Sequence, residues 1–219
     1  MNRRPVAITG LAIALLLAAP AASAGEQGLK TIPLPEPKKD GGRPLMQVLS
    51  ERQSQREFSA EALPPAVLSN LLWAAFGINR PDGRRTAPSA RNWQEIDVYA
   101  AMADGLYLYD PKAHALRRVL AEDLRGATGS QPFVSEVPVN LVYVADLAKL
   151  GDASPDTKLL TTGADTGFIA ENVYLFCASE GLATVVRGSV DREALGKRMG
   201  LRPEQRVTLA QSVGYPKKK

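Results

Sequence analysis

The spacing of apolar residues predicts two helices near the start of the folded part of the chain. Residues 44–52 carry apolar side chains on one helical face. A second apolar stripe follows Pro64 and Pro65, which suit a first helical turn, and it stops at Gly77. The residues of this stripe are Val67, Leu68, Leu71, Leu72, Ala75 and Phe76. We therefore predict a short helix over 44–52 and a longer one ending before Gly77.

The middle and the end of the chain have the alternation and the β-branched content of strands. The run 96–102 (IDVYAAM) alternates, and 106–109 and 115–119 flank a turn, which predicts a hairpin. Residues 138–145 (PVNLVYVA) resemble a buried strand, and 206–213 form a last strand. Together with the helices, these strands predict an α+β fold.

Glycine and proline interrupt the pattern between two of these strands. Gly126, Gly129 and Pro132 break the segment Val119–Glu136. We predict that this segment is a mobile excursion over a site.

A long helix is predicted in the last third of the chain. Thr162 and Asp165 have the spacing of a capping box, which predicts a helix from about Gly163 to Glu180. Its middle, 173–178 (VYLFCA), is apolar on nearly every side, which fits either a subunit interface or the central helix of a monomeric core. A further helical stretch covers 191–199.

Composition and the first residues divide the chain into three parts. Its 219 residues are 45% hydrophobic, enough for one domain with a sizeable core. Residues 1–24 have the basic start, apolar run and small-residue cleavage site of a secretory signal peptide, too short to span a membrane as a helix. Residues 25–43 are rich in proline, lysine and glycine and predict an extended arm, which leaves 44–219 as the domain.

This division predicts an exported protein. The destination is the periplasm if the host has two membranes and the medium if it does not. Arg3 and Arg4 fit the ordinary basic start of a signal peptide better than a twin-arginine signal, because Asn2 and Pro5 flank the pair. No contact with a membrane is predicted after signal cleavage.

Charge and the reactive side chains exclude several functions. Loss of Arg3 and Arg4 lowers the formal net charge of +4 by two, and such a mildly basic protein gives no argument for nucleic-acid binding. Cys177 is the only cysteine, so no internal disulfide can form. His114 and Cys177 have no partner at ligand spacing, so we predict structural roles for both and no metal site.

Two polar segments are candidates for chemistry. The loop 88–94 (PSARNWQ) lies between the second helix and a strand and offers hydroxyl, amide and guanidinium groups. In 52–58 (RQSQREF), an extended chain would place Arg52, Ser54 and Arg56 on one side, where guanidiniums can bind phosphate. The alternative is that basic residues follow a helix because they favour the negative end of its dipole.

Both segments resemble one family. PSARNWQ is similar to the PSxxNxQ segment of the FMN-dependent nitroreductase family, and RQSQREF is similar to its R-x-S-x-R-x-F opening. The similarity continues through SNLLWAAFGINR, GLYLYD, GLAT, VVRG and SVGYPK, in the family's order over most of 45–217. The chain also resembles the branch near the thiazole- and oxazole-forming dehydrogenases, although no motif establishes that reaction.

The resemblance implies a fold and an activity. The fold would be a central, mainly antiparallel sheet flanked by helices, in an intertwined homodimer with FMN at the subunit interface. The activity would be ping-pong transfer of two electrons from NAD(P)H or another reductant to a nitro compound, a quinone or a similar small molecule. The flavin carries this chemistry, so no catalytic side chain is predicted. The alternative is an exported binding module that has the fold but no turnover.

The resemblance also assigns roles to residues. Arg52 and Ser54 would contact the phosphate and ribityl end of FMN, Arg56 the pyrimidine end of its ring, and Pro88, Ser89 and Asn92 the polar rim of the ring. The backbone N–H groups of Arg187 and Gly188 would lie near the reactive N5, and Lys217 and Lys218 would bind phosphate. Ala90 and Arg187 depart from the serine and the acidic residue of relatives, so a side-chain role is in doubt there.

Overall fold

Residues 30–218 fold as a seven-stranded antiparallel sheet with four α helices. The computed structural model describes residues 30–218 together with Met1. The strands are β1 (Thr31–Pro33), β2 (Ile96–Met102), β3 (Gly105–Asp110), β4 (Ala115–Leu120), β5 (Val139–Asp146), β6 (Ala183–Arg187) and β7 (Gln205–Gly214). The helices are α1 (Leu45–Glu51), α2 (Pro65–Phe76), α3 (Pro155–Glu180) and α4 (Arg192–Met199). The rest of the predicted signal peptide, residues 2–24, lies outside the described residues.

The strand order is β1-β4-β3-β2-β5-β7-β6, and every neighbouring pair is antiparallel. The predicted α+β fold with an antiparallel central sheet is therefore confirmed. The predicted hairpin is β3 and β4, which pair from Leu106 with Leu120 to Asp110 with Ala115. Two strands were not predicted. β6 follows α3 and pairs with β7, and β1 lies in the predicted arm and pairs with β4.

The predicted helix α2 is confirmed, and its apolar stripe is buried in the core that it shares with α3 and one face of the sheet. Leu71 and Leu72 have no exposed surface, and burial of a leucine side chain contributes roughly 1.5–3 kcal/mol to stability. The helix ends where Gly77 N–H donates to Trp73 O over 2.8 Å. A Cβ at Gly77 would lie 2.7 Å from Trp73 O. A side chain at this position would therefore clash with the backbone of the last helical turn.

The predicted start of α3 is wrong by about two turns. The helix begins at Pro155, and Ser154 is its N-cap, because the Ser154 hydroxyl accepts from Thr157 N–H over 3.2 Å. Thr162 lies inside the helix, where its hydroxyl donates to Lys158 O over 2.8 Å. The capping-box spacing was misleading because both of its side chains bond elsewhere, Asp165 to the loop before β2.

One face of the middle of α3 lies in the core. Val173 and Cys177 have no exposed surface, while Leu175 and Phe176 are half-buried in one protomer. The solvent-exposed apolar residues lie nearer the start of α3. Leu159, Leu160 and Phe168 expose 76%, 76% and 47% of their surface.

The two faces of the sheet carry separate hydrophobic cores. Along β2, Val98 and Ala100 belong to the core that includes α2 and α3, while Tyr99 and Ala101 belong to the core that includes α4. Successive side chains of β2 therefore point to opposite faces of the sheet, as expected of a strand with both faces covered. No helix within residues 30–218 is both long enough and apolar enough to cross a membrane.

The segment between β4 and β5 is more closely packed than predicted. Of the three predicted breaks, Gly129 lies between two short 3-10 helices, Arg125–Thr128 and Pro132–Ser135, whereas Gly126 lies inside the first and Pro132 begins the second. Leu124, Thr128 and Val134 are nevertheless buried. The segment therefore packs against the sheet rather than standing away from it.

Candidate functional site

Arg52 and Ser54 converge on one tyrosine of α3. Arg52 follows the last residue of α1, and its guanidinium carbon lies 5.3 Å from the centre of the Tyr174 ring. Ser54 Oγ forms a hydrogen bond with Tyr174 OH over 2.8 Å, and the same hydroxyl accepts from Val186 N–H over 2.9 Å. Tyr174 therefore links the extended segment after α1 to α3 and to β6.

The strict alternation predicted for this segment is not kept. Arg52 lines a cavity of about 740 Å³ together with Gln53 and Gln55, which the pattern had placed on the opposite side. The segment runs beside β6, because Gln55 N–H donates to Thr184 O over 2.9 Å. Arg56 does not line this cavity.

Arg56 lies instead with the lysines of the C-terminal segment. It lines a cavity of about 340 Å³ with Lys217 and Lys218, and all three side chains are exposed, while Glu57 and Glu136 line the same cavity. The two segments are held together by backbone hydrogen bonds, from Ser59 N–H to Tyr215 O over 2.8 Å and from Lys217 N–H to Glu57 O over 3.2 Å. Three cations predicted to contact FMN are thus brought together.

The PSARNWQ loop has a strained backbone. Arg91, Asn92 and Gln94 have φ angles of 49°, 57° and 49°, in the left-handed region that residues other than glycine rarely adopt. Such conformations persist only where the surrounding contacts impose them, and they concentrate at binding and catalytic sites. The strain marks this loop as a candidate site independently of its sequence.

Hydrogen bonds hold the loop in place. Ser89 Oγ accepts from Gln94 N–H over 2.8 Å, and Ala90 N–H donates to Asp165 Oδ2 over 3.0 Å. The Gln94 carboxamide donates to Asn92 Oδ1 over 2.8 Å and accepts from Arg85 Nε over 2.8 Å. The side chains of Ser89 and Asn92, predicted to contact the ring, thus also bond within the loop.

Two buried carboxyl groups lie beneath this loop. Glu95 and Asp165 expose 0% and 2% of their surface. Burial, and secondarily the neighbouring Asp165, raises the pKa of Glu95 to about 7. Glu95 Oε2 accepts a long hydrogen bond of 3.4 Å from Ser89 Oγ, while Glu95 Oε1 has no partner among the described residues.

The Arg187 side chain points into the protein. It is 4% exposed, and its guanidinium donates to Thr128 O over 2.6 Å, Asn140 Oδ1 over 2.9 Å and Ser212 Oγ over 3.2 Å. Burial lowers the pKa of Arg187 to about 10. Arg187 therefore anchors the segment between β4 and β5, while Gly188 is exposed directly after β6.

The predicted site residues fall into separate groups within one protomer. Arg52 and Ser54 meet at Tyr174, and Arg56 lies with the two lysines. The loop residues Pro88, Ser89 and Asn92 line a third cavity, which neither Arg52 nor Arg56 lines. The structure thus brings together parts of the predicted site but not the whole.

Some features of these groups were not predicted. The arginines at 80, 84 and 85 line the cavity beside the loop, and the charge-rich run RPDGRR was the available sequence signal. Tyr174, a polar group in the apolar run VYLFCA, was a weaker signal. Nothing in the sequence pairs Glu95 with Asp165, which are far apart along the chain.

Comparisons with known proteins agree with this architecture. The sequence profile of the nitroreductase family matches residues 49–215. A nitroreductase-family protein of Methanocaldococcus jannaschii is 32% identical over 155 residues, which cover 66% of this chain and 78% of that protein.

Solved structures show the same fold. A crystal structure of a nitroreductase-family protein from Ralstonia eutropha JMP134 has 44% sequence identity and a TM-score of 0.83, and covers 86% of this chain and 90% of that chain. The NADPH:FMN oxidoreductase of Vibrio harveyi, solved with NAD⁺, has 18% identity and a TM-score of 0.59 over 80% of this chain and 69% of that chain, a likeness of fold alone. With the family profile spanning the domain from α1 to the end of β7, the chain belongs to the nitroreductase family.

Proposed function

We propose that the protein is an FMN-dependent oxidoreductase that takes two electrons from a reductant and passes them to a small-molecule acceptor. Membership of the nitroreductase family supports the reaction class. The single structural observation that carries the cofactor assignment is the convergence of Arg56, Lys217 and Lys218 on one cavity. A protein of the same fold, the NADPH:FMN oxidoreductase of Vibrio harveyi, is consistent with flavin use.

The cavity of Arg56, Lys217 and Lys218 fits the phosphate end of FMN, because its three cations outnumber the two carboxylates of Glu57 and Glu136 that also line it. Lysine ammonium and arginine guanidinium groups form strong, charge-assisted hydrogen bonds with phosphate oxygens. Arg56, Lys217 and Lys218 would hold the phosphate in this arrangement, and Arg52 and Ser54 would contact the ribityl chain from the adjacent segment. This refines the roles predicted from the sequence, which placed Arg56 at the ring.

The ring would require a second protomer. The loop of Pro88, Ser89 and Asn92 lines a different cavity from Arg52 and Arg56 in one chain. We propose that a homodimer places this loop against the Arg52 segment of the partner subunit. The exposed apolar residues support association, since Leu45, Met46 and Leu49 of α1 expose 61%, 76% and 46% of their surface.

When bound, FMN supplies the acceptance of a hydride and the transfer of two electrons. The chain binds the cofactor, orients the substrates above it and presents backbone N–H groups at Arg187 and Gly188. The donor would be NAD(P)H or another reductant, and the acceptor a nitro compound, a quinone or a similar small molecule. The resemblance to the thiazole- and oxazole-forming branch gives no further substrate.

Export would separate the enzyme from cytosolic NAD(P)H. A polyanionic dinucleotide does not cross the hydrocarbon core of a membrane unaided. If residues 1–24 direct export, the physiological donor is another reductant or a partner protein. Cell fractionation with N-terminal sequencing tests this, because an uncleaved cytoplasmic protein would restore NAD(P)H as the ordinary donor.

The pigment of the purified protein tests the cofactor. We expect a yellow protein that releases FMN, and not FAD, on denaturation. A colourless protein that cannot be reconstituted with FMN would contradict the proposed function. Anaerobic addition of NADH or NADPH then separates an enzyme from a binding module, because a flavoprotein that neither nucleotide bleaches would have no nitroreductase activity with these donors.

The substitution R52A tests the proposed contact with the cofactor. Loss of a charged hydrogen bond, worth about 1.5–3 kcal/mol, should weaken FMN affinity by roughly one to two powers of ten. Fluorescence titration of the apoprotein measures this. R117A, at an exposed arginine of β4, is the control, and circular dichroism must show that loss of the contact with Tyr174 leaves the fold intact. Equal affinities in R52A and the unmodified protein would place the ribityl chain away from Arg52.

A further inference from the structure

Four arginines surround a cavity beside the PSARNWQ loop. Arg80, Arg84, Arg85 and Arg91 line a space of about 450 Å³. The remaining lining residues include Pro88, Ser89 and Asn92 of the loop itself, and no acidic side chain is among the described residues that line it. We name this space the arginine cleft.

Neutral groups hold two of these arginines in position. Arg85 is half-buried, donates from Nε to Gln94 Oε1 over 2.8 Å and lies 5.1 Å from the centre of the Phe76 ring. Arg80 donates from Nε to Asn79 Oδ1 over 3.1 Å and from Nη2 to Arg85 O over 3.3 Å. These contacts fix the guanidiniums without offsetting their charge.

The other two arginines of the cleft, Arg84 and Arg91, contact a carboxylate and an aromatic ring. Arg84 pairs with Asp82 over 2.8 Å. Arg91 lies 5.2 Å from the centre of the Trp93 ring and has the left-handed φ of 49°. With one carboxylate against four guanidiniums, the cleft carries an excess positive charge.

We propose that the arginine cleft is a binding site for a phosphate or diphosphate group on the substrate that shares the flavin, an inference that rests on the proposed function. Guanidinium groups bind phosphate through paired, charge-assisted hydrogen bonds, and the number of cations suits a multiply charged anion better than a single carboxylate. Because Arg91 belongs to the loop that contains Ser89 and Asn92, the bound anion lies next to the proposed ring site. The reacting end of the same molecule can then reach the flavin.

Titration with inorganic pyrophosphate tests the cleft directly. The full-length protein is titrated calorimetrically at low salt with saturating FMN, so that the cofactor occupies its own phosphate site. We expect R80Q/R91Q to bind pyrophosphate at least tenfold more weakly than the unmodified protein. The control R117Q/R198Q removes the same charge from arginines outside the cleft and should bind within twofold of the unmodified protein.

The outcomes separate this proposal from the proposed function. Equal binding in the unmodified protein and R80Q/R91Q, or no binding in either, would overturn the arginine cleft even if the protein holds FMN. If FMN does not bind but the cleft variant still loses pyrophosphate affinity, the cleft stands and the proposed function fails. Arg80 and Arg91 are both exposed, so their substitution should leave the fold intact. Circular dichroism, together with the single variant R80Q, checks that a loss of pyrophosphate affinity does not come from unfolding of the loop.

A kinetic experiment identifies which substrate carries the phosphate. Flavin reduction by NADPH is followed in a stopped-flow instrument at increasing pyrophosphate. Competition with NADPH, lost in R80Q/R91Q, assigns the cleft to the electron donor. Pyrophosphate that binds the cleft without slowing reduction assigns it to a phosphorylated acceptor.

Discussion

Arg187 and Glu95 are ionisable side chains that are buried away from solvent. Arg187 is buried among the carbonyl, amide and hydroxyl oxygens of Thr128, Asn140 and Ser212. Glu95 is buried beside Asp165, with one carboxyl oxygen that has no partner among the described residues. A buried charge without an opposite charge is expensive, so the protein gains stability wherever such a group can become neutral.

The substitution E95Q should make stability less dependent on pH. The pKa of Glu95 is raised from its usual value of 4.5 to about 7. The folded state therefore binds this proton more tightly than the unfolded state, and the contribution of Glu95 to stability falls as pH rises from about 4.5 to about 7. We expect E95Q to be more stable than the unmodified protein at pH 8, by on the order of 1–2 kcal/mol, and to lose this advantage near pH 5.

Urea denaturation between pH 5 and pH 8 measures this difference. The exposed substitution E61Q is the matched control and should follow the unmodified protein. Parallel stability profiles for E95Q and the unmodified protein would contradict the prediction that Glu95 takes up its proton near neutral pH.

The sequence could identify Arg187 but not the direction of its side chain. Its motif VVRG placed it next to Gly188, and the replacement of an acidic residue left a side-chain role in doubt. The partners of its guanidinium are Thr128, Asn140 and Ser212, which lie on three other parts of the chain. No local pattern encodes such an arrangement.

Helices and strands were predictable where the signal is local. The two prolines and the apolar stripe of α2 lie within the element itself, so its start and its end at Gly77 followed from the sequence. The start of α3 was wrong because the spacing of Thr162 and Asp165 imitates a cap, whereas Ser154 supplies the cap in the structure. β6 was missed because a five-residue strand depends on its partner β7, which is distant in sequence.

The segment between β4 and β5 depends on one close approach. A Cβ on Gly129 would meet Arg187 Nη1 and lie 2.8 Å from Gln131 Oε1. Three hydrogen-bond partners hold the Arg187 guanidinium, so it cannot move aside without loss. We expect G129A to destabilise the protein by roughly 1–3 kcal/mol, as one or more of these bonds breaks.

Thermal or chemical denaturation measures the effect of G129A. G126A is the control within the same segment, because a Cβ there would meet only Ser135 Cβ at 3.8 Å. Equal losses of stability in the two variants would show that the segment does not depend on the contact with Arg187.

The whole molecule leaves apolar surface uncovered on two of its helices. The exposed residues are Leu45, Met46 and Leu49 of α1 and Leu159, Leu160 and Phe168 of α3. A monomer rarely exposes so many large apolar side chains close together along its helices. Periodicity alone had left the α3 stretch open between interface and core. In one protomer Val173 and Cys177 are buried, Leu175 and Phe176 are half-buried, and the most exposed apolar residues of the helix lie nearer its start.

The substitution F168D tests the proposed homodimer. Phe168 is 47% exposed, so a charge there should leave the protomer folded while disfavouring association. We expect light scattering to show a dimer for the unmodified protein and a monomer for F168D, with FMN lost together with the dimer. The control A121D places the same charge at another exposed position and should remain dimeric. A monomer of F168D that keeps FMN at full affinity would contradict a site shared between subunits.

The short strand β1 also matters for how the protein behaves in solution. The backbone of Thr31–Pro33 pairs with β4, and Arg118 N–H donates to Lys30 O over 2.9 Å, so the arm covers the outer edge of the sheet. Uncovered strand edges pair with other chains and promote aggregation. A recombinant fragment cut to the family boundaries, residues 49–215, would lack β1 and expose the edge of β4. Expression of this protein should therefore retain the chain from Lys30 onward, because the arm acts as a solubility element.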